Sequence, residues 1–214
     1  MQGVKDAGAP VGLRERKKRA TRAALAEAAV RLAAEHGVDN VTVEAISEAA
    51  DVSPRTFFNY FDSRDDAFVT IDAEVGTRIR EAVLAAPPSL DPLTAVHRAF
   101  ADELADVERR HEVWNLRAEV LKQAPHLMVR SLGAHLEDEL GLARAIAQRL
   151  DPGSPEPERP GLYPRLLAAV AGTAVRISIE HWSAGGATVP FLAVFERVFT
   201  HLAAGLPAPP PDDR

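Results

Sequence analysis

Across 214 residues the chain holds 25 Lys/Arg against 31 Asp/Glu, a formal charge of −6, and no cysteine. The missing thiols exclude disulfides, thiolate nucleophiles and cysteine-ligated zinc, which fits an intracellular protein, and the length suffices for one large helical domain or a small head on a larger body. An acidic total argues at first against a nucleic-acid partner, yet residues 1–64 carry ten Lys/Arg against nine Asp/Glu while 65–214 carry fifteen against twenty-two, and screening over about 10 Å makes local charge the one a phosphate meets.

Residues 1–12 mix glycine, alanine, valine and proline without periodicity and are expected to be a disordered arm. From Arg14 the run RERKKRATR places Arg14, Arg16, Lys17, Lys18, Arg19 and Arg22 at the start of a helix. That is the unfavourable end for cations, so an anion such as DNA phosphate is the occupant that would compensate them; a solvated charge run is the plainer alternative. The helix continues through Leu25, Ala29, Leu32 and Ala33 and stops at Gly37.

The stretch VTVEAISEAADVSPRTFFNYF, residues 41–61, reads as two short helices joined by a tight turn. Thr42 is a candidate N-cap, with Glu44 in the first turn and Val43, Ile46 and Ala50 at helical spacing. Asp51 interrupts that pattern, and Ser53-Pro54 restarts a helix, since serine can accept a backbone N–H and proline at the first position has none to leave unpaired. Phe57 and Phe61 then share one face, which turns Arg55, Thr56, Asn59 and Tyr60 away from the core. A cation, a hydroxyl, an amide and a phenol suit phosphate oxygens and base edges in a major groove. A helical hairpin with a merely solvated polar face is the alternative.

Ser63, with Asp66 three residues on, begins a helix expected to reach Ala86 before Pro87-Pro88, and Arg64 at its start is a further phosphate candidate. Asp91-Pro92 restarts the chain to about Arg109. Helices follow over about 112–123 and 126–150, then the proline-rich loop 151–161. The last two, 162–184 and 190–204, are apolar on more than one side and need cover from a core or a second subunit. Dimerisation through Leu166, Val170, Ala174, Ile177, Phe191, Phe195, Val198 and Phe199 is the favoured expectation. No uninterrupted apolar run approaches the roughly 20 residues of a membrane span, so a cytoplasmic protein with no membrane partner is expected. The tail 207–214 reads as disordered.

No Gly-rich phosphate loop, GxSxG or HExxH pattern is present. His135 and Glu139 lie four apart, where an ordinary polar pair outweighs a metal site. Neither a metal nor any other cofactor is expected, nor catalysis.

The run TVEAISEAADVSPRTFFNYFDSRDDAF resembles the DNA-binding region of the TetR family of transcriptional repressors, a likeness extending upstream through Thr21, Ala28, Ala29 and Gly37. It implies an all-α chain: a three-helix helix-turn-helix head over 13–62, then a helical-bundle effector and dimerisation domain over 63–206. It also implies a homodimer on a near-palindromic double-stranded DNA operator, with Arg16, Lys17, Lys18, Arg22, Thr42, Ser53, Arg55, Thr56, Phe58, Asn59, Tyr60 and Arg64 at the DNA. Two departures stand out. Asp51 replaces the usual glycine, which implies a somewhat different turn, and Phe58 replaces the usual tyrosine, so a hydroxyl that often touches phosphate is missing. The stretches AEVLKQAPHLMVRSLGAHLEDELG and AVRISIEHW are similar to the mycofactocin-regulator type of effector domain, associated with acyl-CoA-like ligands. On that resemblance a small, lipophilic effector would meet Phe100, Trp114, Arg117, Leu121, His126, Met128, Leu132 and His181, each of which could equally be plain core. A helical small-molecule-binding protein whose head serves protein contacts is the alternative function.

Overall fold

The computed structural model describes residues 13–69, 74–105, 107–155, 158–186 and 188–207, and among these it contains ten α-helices and no strand. The arm 1–12 and most of the tail, 208–214, lie outside the described residues. The chain divides into two compact units, one made by residues up to 72 together with 116–128, the other by 73–115 together with residues from 129 onward.

In the first unit, α1 (Leu13–His36) closes at Gly37, whose φ of 80° lets its N–H reach the Ala33 carbonyl at 2.9 Å. Thr42 Oγ1 accepts the Ala45 N–H at 3.1 Å and so starts α2 (Val43–Ala49). Ser53 Oγ accepts the Thr56 N–H at 3.2 Å and starts α3 (Pro54–Phe57). This helix is a single turn rather than the longer one the Phe57/Phe61 spacing suggests. The chain tightens after it, the Asn59 and Tyr60 N–H groups bonding back three residues to Thr56 and Phe57. Phe57 and Phe61 are both buried all the same. Asp66 accepts from the Ser63 N–H and hydroxyl at 2.9 and 2.7 Å, capping α4 (Arg64–Val69). Helix α1 packs on α2 and α4, and Leu25, Ala29, Val30, Ile46 and Phe68 are buried.

Asp51 takes a φ of 54°, the left-handed conformation that favours glycine. A short polar side chain tolerates this region better than most.

The second unit holds α5 (Val75–Ala85), α6 (Pro92–Leu104), α9 (Leu162–Ala184) and α10 (Phe191–Ala203), with the first part of α7 (His111–Gln123) and most of α8 (Pro125–Leu150). The helix expected over 63–86 is described as two pieces, α4 and α5, with 70–73 outside the described residues. The next closes at Leu104, a 3₁₀ turn following over Glu108–Arg110. Asp91 caps α6 by accepting the Thr94 N–H at 3.0 Å and the Thr94 hydroxyl at 2.6 Å, which holds its carboxyl below the usual carboxylate value. Helices α5 and α6 pair, α9 and α10 pair, and α6 touches both of the latter. Ile79, Val83, Val96, Ile146, Ala171, Trp182, Phe191, Phe195 and Phe199 share one core. Arg78 on α5 grips both oxygens of Glu103 on α6, Nη2 approaching to 2.6 Å.

Arg149 on α8 gathers the carbonyls where α5 ends, Ala86 and Pro87 at 2.6 Å and Leu90 at 2.9 Å. It supplies donors to a helix end that Pro87 and Pro88 deprive of them. Helix α9 is long and apolar enough to cross a membrane by length and composition alone, although Arg165, Arg176 and Glu180 interrupt its apolar run. Its Leu167, Ala168, Ala171 and Ala174 are buried in the protein core.

Candidate nucleic-acid interface

Helical spacing puts Arg14, Lys17, Lys18 and Thr21 on one face of α1. That face, with Leu13, meets Asn59 and Tyr60 around a single open concavity of 710 Å³ in the first unit. Three cations, an amide and a phenol converge there. Arg16 is exposed on α1 outside this lining. Arg55, Phe58 and Asn59 are exposed, Phe58 by 57%, while Thr56 and Tyr60 are half-buried.

The hydroxyls of Thr42 and Ser53 cap their own helices, and Ser53 Oγ also pairs with Thr56 Oγ1 at 2.9 Å. Both residues are exposed, at the N-terminal ends where backbone N–H groups face outward and anions are favoured.

Two arginines of the expected DNA-contacting set have partners within the unit. Arg22 donates to the Tyr60 carbonyl and stacks 4.2 Å over the Phe61 ring, tying α1 to the chain after α3. Arg64 donates to the Val41 carbonyl at 3.0 Å and pairs with Asp65 at 3.1 Å. Both brace the surface from beneath. Leu13, Arg14 and Thr21 join the lining without having been singled out as contacts; the 14/17/18/21 spacing carries the signal.

The candidate effector residues fall into two sets. Arg117, Leu121, His126 and Met128 belong to the first unit, and Phe100, Trp114, Leu132 and His181 to the second. Leu121 is buried, Phe100 and Trp114 are half-buried, and Met128, Leu132 and His181 are exposed. Arg117 donates through Nε to the Phe68 carbonyl at 3.2 Å and through Nη2 to the Val69 carbonyl, and burial pushes its guanidinium down to about 10. Near neutral pH it stays a cation. His126 Nε2 lies 3.7 Å from Asp65 Oδ2, and it lines a 360 Å³ concavity with Gly37, Asn40 and Gln123. On α8, His135 Nδ1 donates to the Ser131 carbonyl at 2.6 Å.

Of the residues expected at a subunit interface, Ala174, Phe191, Phe195 and Phe199 are buried in the protomer's own core, which leaves none of their side chains for a partner. Val170 and Val198 are half-buried. Leu166 and Ile177 remain open on α9, 58% and 45% exposed, and Leu162, Tyr163 and Leu192 are exposed too.

A model of the bacterial regulatory proteins, tetR family, matches residues 25–70, and a model described as the MftR C-terminal domain matches residues 90–207. The HTH-type transcriptional regulator TcmR of Streptomyces glaucescens is 31% identical over 179 residues, 80% of this chain and 76% of that protein. Among solved structures, a SmeT–triclosan complex is similar with a TM-score of 0.56 at 16% identity, covering 90% of this chain and 99% of that one. The structure of SmeT, the repressor of the Stenotrophomonas maltophilia multidrug efflux pump SmeDEF, gives 0.52 at 15%, covering 89% and 97%. Those two likenesses are of fold alone.

Proposed function

The chain belongs to the TetR family of bacterial transcriptional regulators, and from that premise we propose that it is a cytoplasmic repressor that binds a near-palindromic operator as a homodimer and is modulated by a small effector. One observation carries the DNA-reading part: the cationic face of α1 and the polar residues after α3 line one concavity. Arg55 and Asn59 read base edges. Arg16, Lys17 and Lys18 neutralise phosphates, and the cap ends at Thr42 and Ser53 add backbone N–H contacts. Thr56, Phe58 and Tyr60 pack along the groove wall, while Arg22 and Arg64 hold the reading surface in shape.

Two heads related by a two-fold axis would meet half-sites about one helical turn apart or a multiple of it. The exposed apolar positions of α9 supply the self-complementary surface that such a dimer needs. An effector that prefers badly spaced heads weakens DNA binding by its differential affinity for the two arrangements, typically about 1–3 kcal/mol. The MftR-type match over 90–207 supports an acyl-CoA-like or otherwise lipophilic effector, and the triclosan complex of SmeT is an instance of this fold holding an apolar small molecule.

Selection of bound sequences from randomised duplex DNA tests the reading. Two inverted half-sites are expected, with discrimination relaxed at one position of each by Arg55→Ala. An unpatterned pool would sink the operator. Repeating the titration with acyl-CoA esters of several chain lengths tests the effector class separately, and no change in operator affinity would sink that part alone.

A further inference from the structure

The segment 116–128 is grouped with the DNA-reading head although it lies far along the chain from it. It grips α4 at two places. Arg117 donates to the carbonyls of Phe68 and Val69, and His126 faces Asp65 in the first turn of α4 at 3.7 Å. A buried guanidinium held on two backbone carbonyls is a charge-assisted contact, roughly twice as strong as a neutral hydrogen bond. Between the two grips Val120, Leu121 and Ala124 are buried, as is Leu127 just beyond them.

From α4 the connection runs on to the reading elements. Arg64 at its start donates to the Val41 carbonyl, one residue before the Thr42 cap of α2, and its guanidinium lies 5.7 Å over the ring of Phe68, which is fully buried. Helix α4 is thus held through Phe68 and Val69 by Arg117 and tied at its start to the residue before the first helix of the helix-turn-helix.

We propose that Arg117, outside the helix-turn-helix in sequence, is a positioning residue for DNA reading: it fixes α4, and through Arg64 and Val41 it sets where α2 and α3 stand. This rests on the DNA-binding reading above. The segment is the later part of α7 and the start of α8, whose remaining residues belong to the second unit. Arg117 then serves the head from within and is not an effector contact.

The test uses the full chain carrying Arg117→Met, which keeps the volume and removes the donors, and Arg117→Lys, which keeps a cation. Operator affinity is measured with selected duplex on protein whose folded fraction is fixed by thermal melting. Amide hydrogen exchange is followed over residues 54–69. Arg117→Met is expected to weaken operator binding about tenfold, the scale of one lost hydrogen bond to a charged group, with faster exchange in 64–69 and an unchanged salt slope. Arg117→Lys should recover about a third to a half of that loss on a logarithmic scale. Unchanged affinity, or a loss no greater than the unfolded fraction accounts for, overturns the proposal. If Arg117→Met does not fold, His126→Gln releases the other grip, and a loss of about threefold in affinity together with faster exchange in 64–69 is expected; wild-type behaviour there overturns it equally. Should the wild-type chain bind no duplex at all, the DNA reading fails, and unaltered exchange over 64–69 in the variants would then refute the coupling by itself.

Discussion

Replacing Lys17 by alanine removes one cation from the concavity it shares with Arg14, Lys18, Asn59 and Tyr60, and the effect on salt dependence can be worked out beforehand. Each phosphate neutralised adds about 0.9 to the slope of log affinity against log salt. A two-fold assembly brings two copies of Lys17, so the slope should flatten by about 1.8, against about 0.9 for a single head. Between 50 and 200 mM salt the logarithm of concentration changes by about 0.6, so wild-type protein should lose about tenfold more affinity than the variant if two heads bind, and about threefold more if one does. Lys17 is exposed on a helix surface, where such changes usually alter stability by no more than about 0.5 kcal/mol, so a folding defect would not imitate the result. Fluorescence anisotropy titrations of the selected duplex at four salt concentrations measure both slopes. Parallel lines would refute phosphate contact at Lys17, and a difference near 0.9 would keep the contact but refute the two-fold arrangement.

Asp51 pays a conformational penalty at φ 54° that glycine would not; Asp51→Gly should match or exceed wild-type stability by up to about 1 kcal/mol, whereas Asp51→Val should lose more than about 1 kcal/mol. Chemical denaturation orders the three, and a valine variant as stable as wild type would show that this turn is not strained. The Asp91 carboxyl is held below its unfolded value by Thr94, so the cap's stabilisation is present above about pH 4 and is lost as pH falls through the lower folded value. Asp91→Ala should therefore cost about 1 kcal/mol at pH 7 and progressively less as acid protonates the carboxyl, and a pH-independent difference in melts would contradict this. Ile177, 45% exposed on α9, lies on the surface we assign to the partner. Ile177→Glu should leave the protomer folded but convert it to a monomer in sedimentation velocity, with operator affinity lost alongside; an undisturbed dimer would move the interface elsewhere.

What could be read from the chain alone was what is local. Thr42, Ser53 and Asp91 each accept an N–H from the residue three further on, Ala45, Thr56 and Thr94, so a side-chain oxygen before a helical pattern was enough to place three helix starts. The face of α3 and the 14/17/18 face of α1 follow from helical period in the same way. That Arg22 and Arg64 also donate to the carbonyls of Tyr60 and Val41, 38 and 23 residues away, could not be foreseen, because a backbone carbonyl leaves no signature in sequence. The same holds for Arg117 on Phe68 and Val69. Periodicity also showed that Phe191, Phe195 and Phe199 share a face of α10. It could not say whether that face meets the protomer's own core, where it lies, or a second copy.

Arg149 carries a consequence for synthesis of the chain. The carbonyls of Ala86 and Pro87 find their guanidinium 63 and 62 residues later, so a ribosome extending the chain releases the α5–α6 corner long before its donor exists. Until Arg149 emerges, that corner keeps bare acceptors and an unfastened bend, and the early helices of the second unit must wait for a late one. Nascent chains arrested short of residue 149 should accordingly be substrates for chaperones, and completion of α8 should fasten that corner while closure of the core still awaits α9 and α10.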